Sequence, residues 1–277
     1  MNTKIYPGIA LSPRKTKFGP VMFSGHIWDG LNAVSKAGFK FVELSLRSAN
    51  DVDREELKQR LSDLNLRVTA IATGQACLFD NLCLGSDDEG IRDNTINHFK
   101  KITSLAKEIN SMAVIIGGIR GRLAGDGVDF QRNFENGVSA IRECALFAET
   151  LAIQLLIEPI NRYETNWIFS AKDGCDLLEK IGVDSVKLLL DTFHMNIEEA
   201  NMVDAVRNTG NRLGYMHFAD NTRQAPGQGQ TNFTQILKVL EEINYSGPVV
   251  AEVLPLPDDE TAVLNTAKFW HEMSFTL

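Results

Sequence analysis

Four short apolar runs in the second half of the chain end on, or carry, an ionisable side chain. IQLLIE ends at Glu158, VKLLLD at Asp191, GYMHF carries His217, and GPVVAE ends at Glu252. Gaps of 33, 26 and 35 residues separate the four, each long enough for one strand and one helix. Three carboxylates and an imidazole gathered in a partly dry place would repel and desolvate one another, and a divalent cation removes that difficulty. A set rich in oxygen, with one nitrogen and no thiolate, suits Mn2+, Co2+ or Mg2+ and admits Zn2+; without thiolates a structural zinc site is disfavoured. Singly, each residue has a plainer explanation: Asp191 as a helix N-cap, either glutamate as a rim charge, His217 as a satisfied core histidine. Their recurrence at four successive strand ends favours the metal.

Other chemistry-bearing residues lie in the segments that follow such runs. NRYETNW contains Arg162 and Glu164, LLLDTFHMNIEE places His194 three residues after Asp191, and ADNTRQAPGQGQTNF puts Arg223 in a Gly/Pro-rich loop able to close over a ligand. Earlier in the chain, ATGQA offers the neutral amide Gln75 and IIGGIRGR offers Arg120 and Arg122, for which solvated surface charge is the plainer reading. GQGQ is not a phosphate loop, because no Lys-Ser/Thr follows it. His26, His98 and His271 have no such company and are expected to be structural.

The elements that must position these groups are legible as a pattern. Eight apolar runs (IYPGIAL, FKFVELSL, LRVTAIA, MAVIIGG, IQLLIE, VKLLLD, GYMHFA and GPVVAEV) alternate with stretches of helical period. Phe233, Ile236, Leu237, Leu240 and Ile243 share one helical face; Phe130, Phe134, Val138, Ile141 and Ala145 share another. Gly or Asn punctuates the helix-to-strand junctions KAGFKFV, EKIGVDSVK and EEINYSGPVV. Strands apolar on both faces and each followed by a helix imply a parallel sheet. Eight such units in 277 residues predict a single α/β domain over residues 1–277, a closed (β/α)8 TIM barrel. A doubly wound open sheet is the alternative, but no GxGxxG follows a strand. In a barrel the C-terminal strand ends line the mouth where reactions occur, which is where the four ionisable groups fall.

Composition narrows the partners. The chain is 44% hydrophobic and 23% charged, ordinary for a folded domain, with a formal net charge of −8 that disfavours nucleic acid and acidic membranes. Four cysteines (Cys77, Cys83, Cys144 and Cys175) without a CxxC pair fit reduced thiols. The opening MNTKIYPGIALSPRK has no basic leader with an apolar core, and no stretch approaches the roughly 20 apolar residues of a membrane span, so a cytoplasmic protein is expected.

The motifs IEPINRYETNW, LLLDTFHMNIEE, MHFADNTRQAPGQGQTNF and VVAEVLPLP together resemble the xylose-isomerase-like superfamily of TIM-barrel sugar isomerases and epimerases, in particular the ketose 3-epimerase group that includes D-tagatose 3-epimerase. With ATGQACL, VIIGGIRGR and LPLP added, the chain looks closest to the 5-keto-L-gluconate epimerases. The resemblance spans nearly the whole chain. It implies one divalent ion, Mn2+ first, held by Glu158, Asp191, His217 and Glu252, with Glu158 and Glu252 also serving as the two acid/base groups. It further implies that His194, Arg223 and Glu164 touch the oxygens of a small keto-sugar or keto-sugar acid, with Gln75 and Arg120 as further contacts, and that the protein is a homodimer or homotetramer. Inverting a carbon beside a carbonyl requires stabilising an enediolate, a Lewis-acid role, and a base on each face of its plane. A substrate carboxylate would call for a cation, which Arg120, Arg122 or Arg223 would provide. The alternatives are a ketose 3-epimerase of D-tagatose or D-fructose type, an aldose–ketose isomerase, an endonuclease-IV-like metal hydrolase, which the net charge disfavours, and a non-catalytic sugar-binding barrel, which would not need both glutamates.

Overall fold

A computed structural model describes residues 4–16, 19–275 and 277; residues 1–3, where the stretch read for a leader begins, lie outside them. Strands β1 (Ile5–Leu11), β2 (Phe41–Ser45), β3 (Arg67–Ala72), β4 (Ala113–Ile116), β5 (Gln154–Ile157), β6 (Lys187–Asp191), β7 (Leu213–Phe218) and β8 (Gly247–Ala251) correspond to the eight apolar runs. They are hydrogen-bonded in sequence order, all parallel, and close with Ile9 of β1 opposite Ala251 of β8. Closure excludes the open doubly wound sheet.

Among the described residues eight helices ring the barrel: α1 (Ile27–Lys36), α2 (Arg54–Asp63), α4 (Glu89–Glu108), α5 (Gly127–Thr150), α6 (Ala171–Ile181), α8 (Met202–Thr209), α9 (Phe233–Glu242) and α10 (Asp259–Glu272). Two short ones, α3 (Gly74–Asp80) and α7 (Thr192–Glu198), are built into the loops after β3 and β6. The periodic faces read from the sequence turn inward, with Phe233, Ile236, Leu237 and Leu240 of α9 and Ile141 and Ala145 of α5 buried. Helix ends follow side-chain chemistry. Asp53, Asp88, Asn201, Asn232 and Asp258 cap N-termini with side-chain oxygens, and Ser170 with Asp173 forms a reciprocal capping box on α6. Gly182, in the left-handed conformation, ends α6 before the turn into β6.

Both faces of the strands are covered, which explains their unbroken apolar runs. A large core lies between sheet and helices. A smaller one fills the barrel interior with Ala10, Val21, Ala70, Ala113, Ile115, Leu156, Leu189, Tyr215 and Val250, so the barrel is a packed plug and the usable space is its rim. The plug includes a polar pair, the Tyr215 hydroxyl 2.6 Å from Thr69 Oγ1. Among the described residues no helix is long and apolar enough to cross a membrane.

Candidate active site

The four strand-end residues meet. Glu158 follows β5 by one residue, Asp191 ends β6, His217 is the penultimate residue of β7 and pairs in register with Asp191, and Glu252 follows β8 by one residue. One ligand atom from each lies within 4.8 Å of all the others, close to the span of about 4.2 Å between opposite ligands of a cation bonded at 2.1 Å. His217 Nδ1 faces Glu252 at 3.5 Å, Glu158 at 3.6 Å and Asp191 at 3.8 Å. His217 Nδ1 is buried without a hydrogen-bond partner, and the buried Asp191 Oδ2 has the Arg223 guanidinium beside it as a charge partner. An orphaned imidazole nitrogen converging with three hard carboxylate oxygens and no thiolate fits a divalent cation.

Both readings of Asp191 hold, one on each oxygen. Oδ1 caps α7 by accepting from the Phe193 N–H at 2.8 Å, while Oδ2 turns to the centre. Glu158 has its own accommodation: a Cβ on Gly117 would meet Glu158 Oε2, so glycine there leaves the carboxylate its present place beside β4.

The electrostatics separate the two glutamates. Burial pushes Glu252 up to about 8. Burial would also raise Glu158, but His217, His194 and Arg223 outweigh it and hold that carboxyl below the ordinary range. Burial alone would lower His217; Glu43 and Glu252 reverse this and hold the imidazole well above its usual value. His194 goes the other way, lowered chiefly by burial.

Around this centre stand further residues. His194, on α7, is 5% exposed, and its Nε2 lies 3.8 Å from Glu158 and 3.9 Å from Asp191. Arg223 reaches in from the β7–α9 loop, with Nη1 2.8 Å from Asp191 Oδ2, Nη2 on Glu252 Oε2, and its guanidinium over the Phe193 ring. Glu164 is exposed, and its Oε1 accepts from Asn161. Gln75 is buried; its amide nitrogen donates to Ser12 Oγ at 2.9 Å and to the Ser45 carbonyl and hydroxyl, tying together the ends of β1 and β2.

Arg120 corrects an expectation. It is fully buried behind the site, donating to the carbonyls of Glu158, Trp167 and Ile168, and burial draws its pKa down to about 10. Its guanidinium clasps both ends of the loop that carries Glu158 and does not face a substrate. The segment GIRGR, read from sequence alone, gives no sign that the loop after β5 folds back over it.

Three residues of the site went unnoticed in the sequence. Glu43, on β2 and 0% exposed, receives His217 Nε2 at 2.8 Å. The β2–β3 register shifts between Val42 and Glu43, the kind of irregularity that re-aims a side chain. A lone carboxylate inside FKFVELSL was the available signal. Asn161, 1% exposed, lies 2.8 Å from His194 Nδ1. Asp220, 0% exposed, accepts backbone N–H groups from Asn221, Gly227, Gly229 and Thr231 and so shapes the loop that carries Arg223.

A closed parallel barrel whose mouth holds an acidic set fit for a divalent cation defines a recognisable class. A family model described as xylose isomerase-like TIM barrel matches residues 31–272, and the chain belongs to that family. A D-psicose 3-epimerase from Enterocloster bolteae is 33% identical over 255 residues, covering 88% of this chain and 81% of that one. A 3-dehydro-D-guloside 4-epimerase from Escherichia coli is 24% identical over 255 residues, covering 90% and 95%. Among solved structures, D-allulose 3-epimerase from Methylomonas sp. in complex with D-allulose matches with a TM-score of 0.83 at 23% identity, over 98% of this chain and 97% of that one, a likeness of fold.

Proposed function

We propose that the protein is a metal-dependent epimerase of a neutral ketose, inverting the carbon beside the carbonyl, with the ketose 3-epimerases as the nearest substrate class. One observation carries this reading: two glutamates on different strands, Glu158 after β5 and Glu252 after β8, converge with Asp191 and His217 on one set fit for a divalent cation. Two carboxylates brought in from different strands can flank a sugar carbon, one taking a proton while the other gives one. Glu158, the stronger acid, is the base that takes the proton from the carbon, and Glu252 returns one to the opposite face. The roles exchange when the reaction runs backwards. The electron pair of the broken C–H bond moves towards the carbonyl oxygen. A divalent cation held by Glu158, Asp191, His217 and Glu252 supplies, when bound, Lewis-acid stabilisation of that charge, with Mn2+ the ion we favour. His194 and Arg223 hold sugar oxygens from the side of β6 and β7, and Phe193 underlies the Arg223 guanidinium.

The names its relatives carry favour a ketose 3-epimerase over 5-keto-L-gluconate as the substrate assignment. Charge supports the same choice. Of the three arginines that would pair with a substrate carboxylate, Arg120 is sealed behind the site and Arg223 is matched by Asp191 and Glu252, leaving only the exposed Arg122. An acid would enter a mouth already rich in carboxylates, whereas a neutral ketose avoids that cost.

The test is incubation of the Mn2+-loaded protein with D-fructose, D-tagatose and 5-keto-L-gluconate in D2O, with products read by NMR. Deuterium should enter one carbon beside the carbonyl of a neutral ketose as its epimer forms. Glu158→Gln and Glu252→Gln should each lower kcat by about 10²-fold or more while substrate still binds. Aldose as the main product would move the enzyme to the isomerase alternative. No exchange into any keto-sugar, or near-native kcat in either variant, would overturn the two-base reading.

A further inference from the structure

We infer that Asn161 is a positioning residue that decides which ring nitrogen of His194 carries the proton, making His194 a neutral Nε2–H donor to a sugar oxygen. The inference rests on the proposed function only for what that N–H meets. Its basis is a hydrogen-bond arrangement whose direction has one solution.

Asn161 sits just after β5 with its backbone fixed, its carbonyl accepting from the Glu164 and Thr165 N–H groups at 3.1 and 3.2 Å. Its side-chain oxygen accepts from the Tyr163 N–H at 3.0 Å, and its side-chain nitrogen donates to Glu164 Oε1 at 2.8 Å. Turning the amide over would set its oxygen against a carboxylate, which only accepts, and its nitrogen against a backbone N–H, which only donates. Both contacts therefore point the amide nitrogen the same way, and that nitrogen lies 2.8 Å from His194 Nδ1. An amide nitrogen donates, so Nδ1 accepts and carries no proton, and in the neutral ring the proton is on Nε2.

Nε2 is the nitrogen on the side of the site. Its distances to Glu158 and Asp191, 3.8 and 3.9 Å, are too long for hydrogen bonds. The N–H is thus available to a substrate oxygen, and a ring edge-on to Phe193 at 5.6 Å keeps its plane. A fixed neutral donor of this kind polarises a carbonyl or steadies a hydroxyl without giving its proton away, leaving proton transfer to the two glutamates.

The experiment uses the full chain, loaded with diamagnetic Mg2+, labelled with 15N in histidine and free of substrate, with His194 assigned by a His194→Gln variant. The expected spectrum shows Nδ1 bare and Nε2 protonated. Asn161→Asp should move a proton onto Nδ1, because its carboxylate only accepts. Asn161→Leu should shift the His194 signals from their wild-type values and lower kcat/KM by about 10- to 10²-fold with Mg2+ affinity unchanged, a pattern that a general loss of structure would not give. A protonated Nδ1 in the wild type, a bare Nδ1 in Asn161→Asp, or wild-type kcat/KM in Asn161→Leu overturns the inference. Should the spectra agree while no keto-sugar is epimerised, the tautomer stands and the proposed function falls.

Discussion

At the scale of single residues, the site uses both ends of its polar side chains. Asp191 caps a helix with one oxygen and offers the other to the centre; His217 offers Nδ1 to the centre and is steadied through Nε2 by Glu43. Such an outer carboxylate orients an imidazole ligand and strengthens it as a base. Replacing Glu43 by Gln keeps the size but removes the charge, so affinity for Mn2+ should fall by about 10- to 100-fold. Titration of the metal-free variant measures it directly, and an unchanged dissociation constant would reduce Glu43 to packing. The strand-end quartet was legible because four like residues recur at one structural position. Glu43, Asn161 and Asp220 were not, because their significance lies in partners 174, 33 and up to 11 residues away, and a single polar residue carries no period.

At the scale of elements, the β7–α9 loop is the least regular part of the site and the most deliberately tied. Asp220 gathers four backbone N–H groups from both ends of it, and a Cβ on Gly229 would collide with that same carboxylate. The gathered loop holds Arg223 at φ +61°, a conformation that costs a non-glycine residue about 1–2 kcal/mol. The Arg223 N–H donates to the Asp220 carbonyl, and its own carbonyl accepts from Leu254, which joins the loop to the segment after β8. Asp220→Asn supplies one acceptor oxygen where two are needed and leaves buried donors unpaired, at about 1–3 kcal/mol. Amide hydrogen exchange across residues 221–231 should accelerate, and kcat/KM should drop as Arg223 loses its perch. Exchange at the wild-type rate would show that the loop holds itself. The sequence shows the regular elements through their periods, including the inward faces of α5 and α9. It did not give α3 and α7, which are a single turn or two set by tertiary contacts, with no room for a period to show.

At the scale of the molecule, the eight-fold alternation was enough for the barrel, because strands covered on both faces leave one compact solution for this length. What the pattern could not convey is that the packed barrel carries a charge load at its rim that bears on the stability of the whole chain. In the metal-free protein Glu252 is raised from 4.5 to about 8, and His217 is raised well above 6.5. A raised folded-state value means that, above the unfolded value, the folded chain keeps a proton the unfolded chain has released. The stability linked to Glu252 is therefore complete below about pH 4.5 and is lost as pH climbs towards 8, with a slope of up to about 1.4 kcal/mol per pH unit for one proton. His217 adds loss in the same direction above pH 6.5 or so. Glu158, held low, acts oppositely but only at more acid pH. Thermal melts of the metal-free protein from pH 5 to 8 should show a falling Tm, and Glu252→Gln, which cannot ionise, should flatten the fall. Because a cation competes with these protons, Mn2+ should bind more tightly as pH rises and should restore Tm most at pH 8. A metal-free wild type and Glu252→Gln with the same pH profile would mean that Glu252 ionises freely, and the acid–base asymmetry of the two glutamates would go with it.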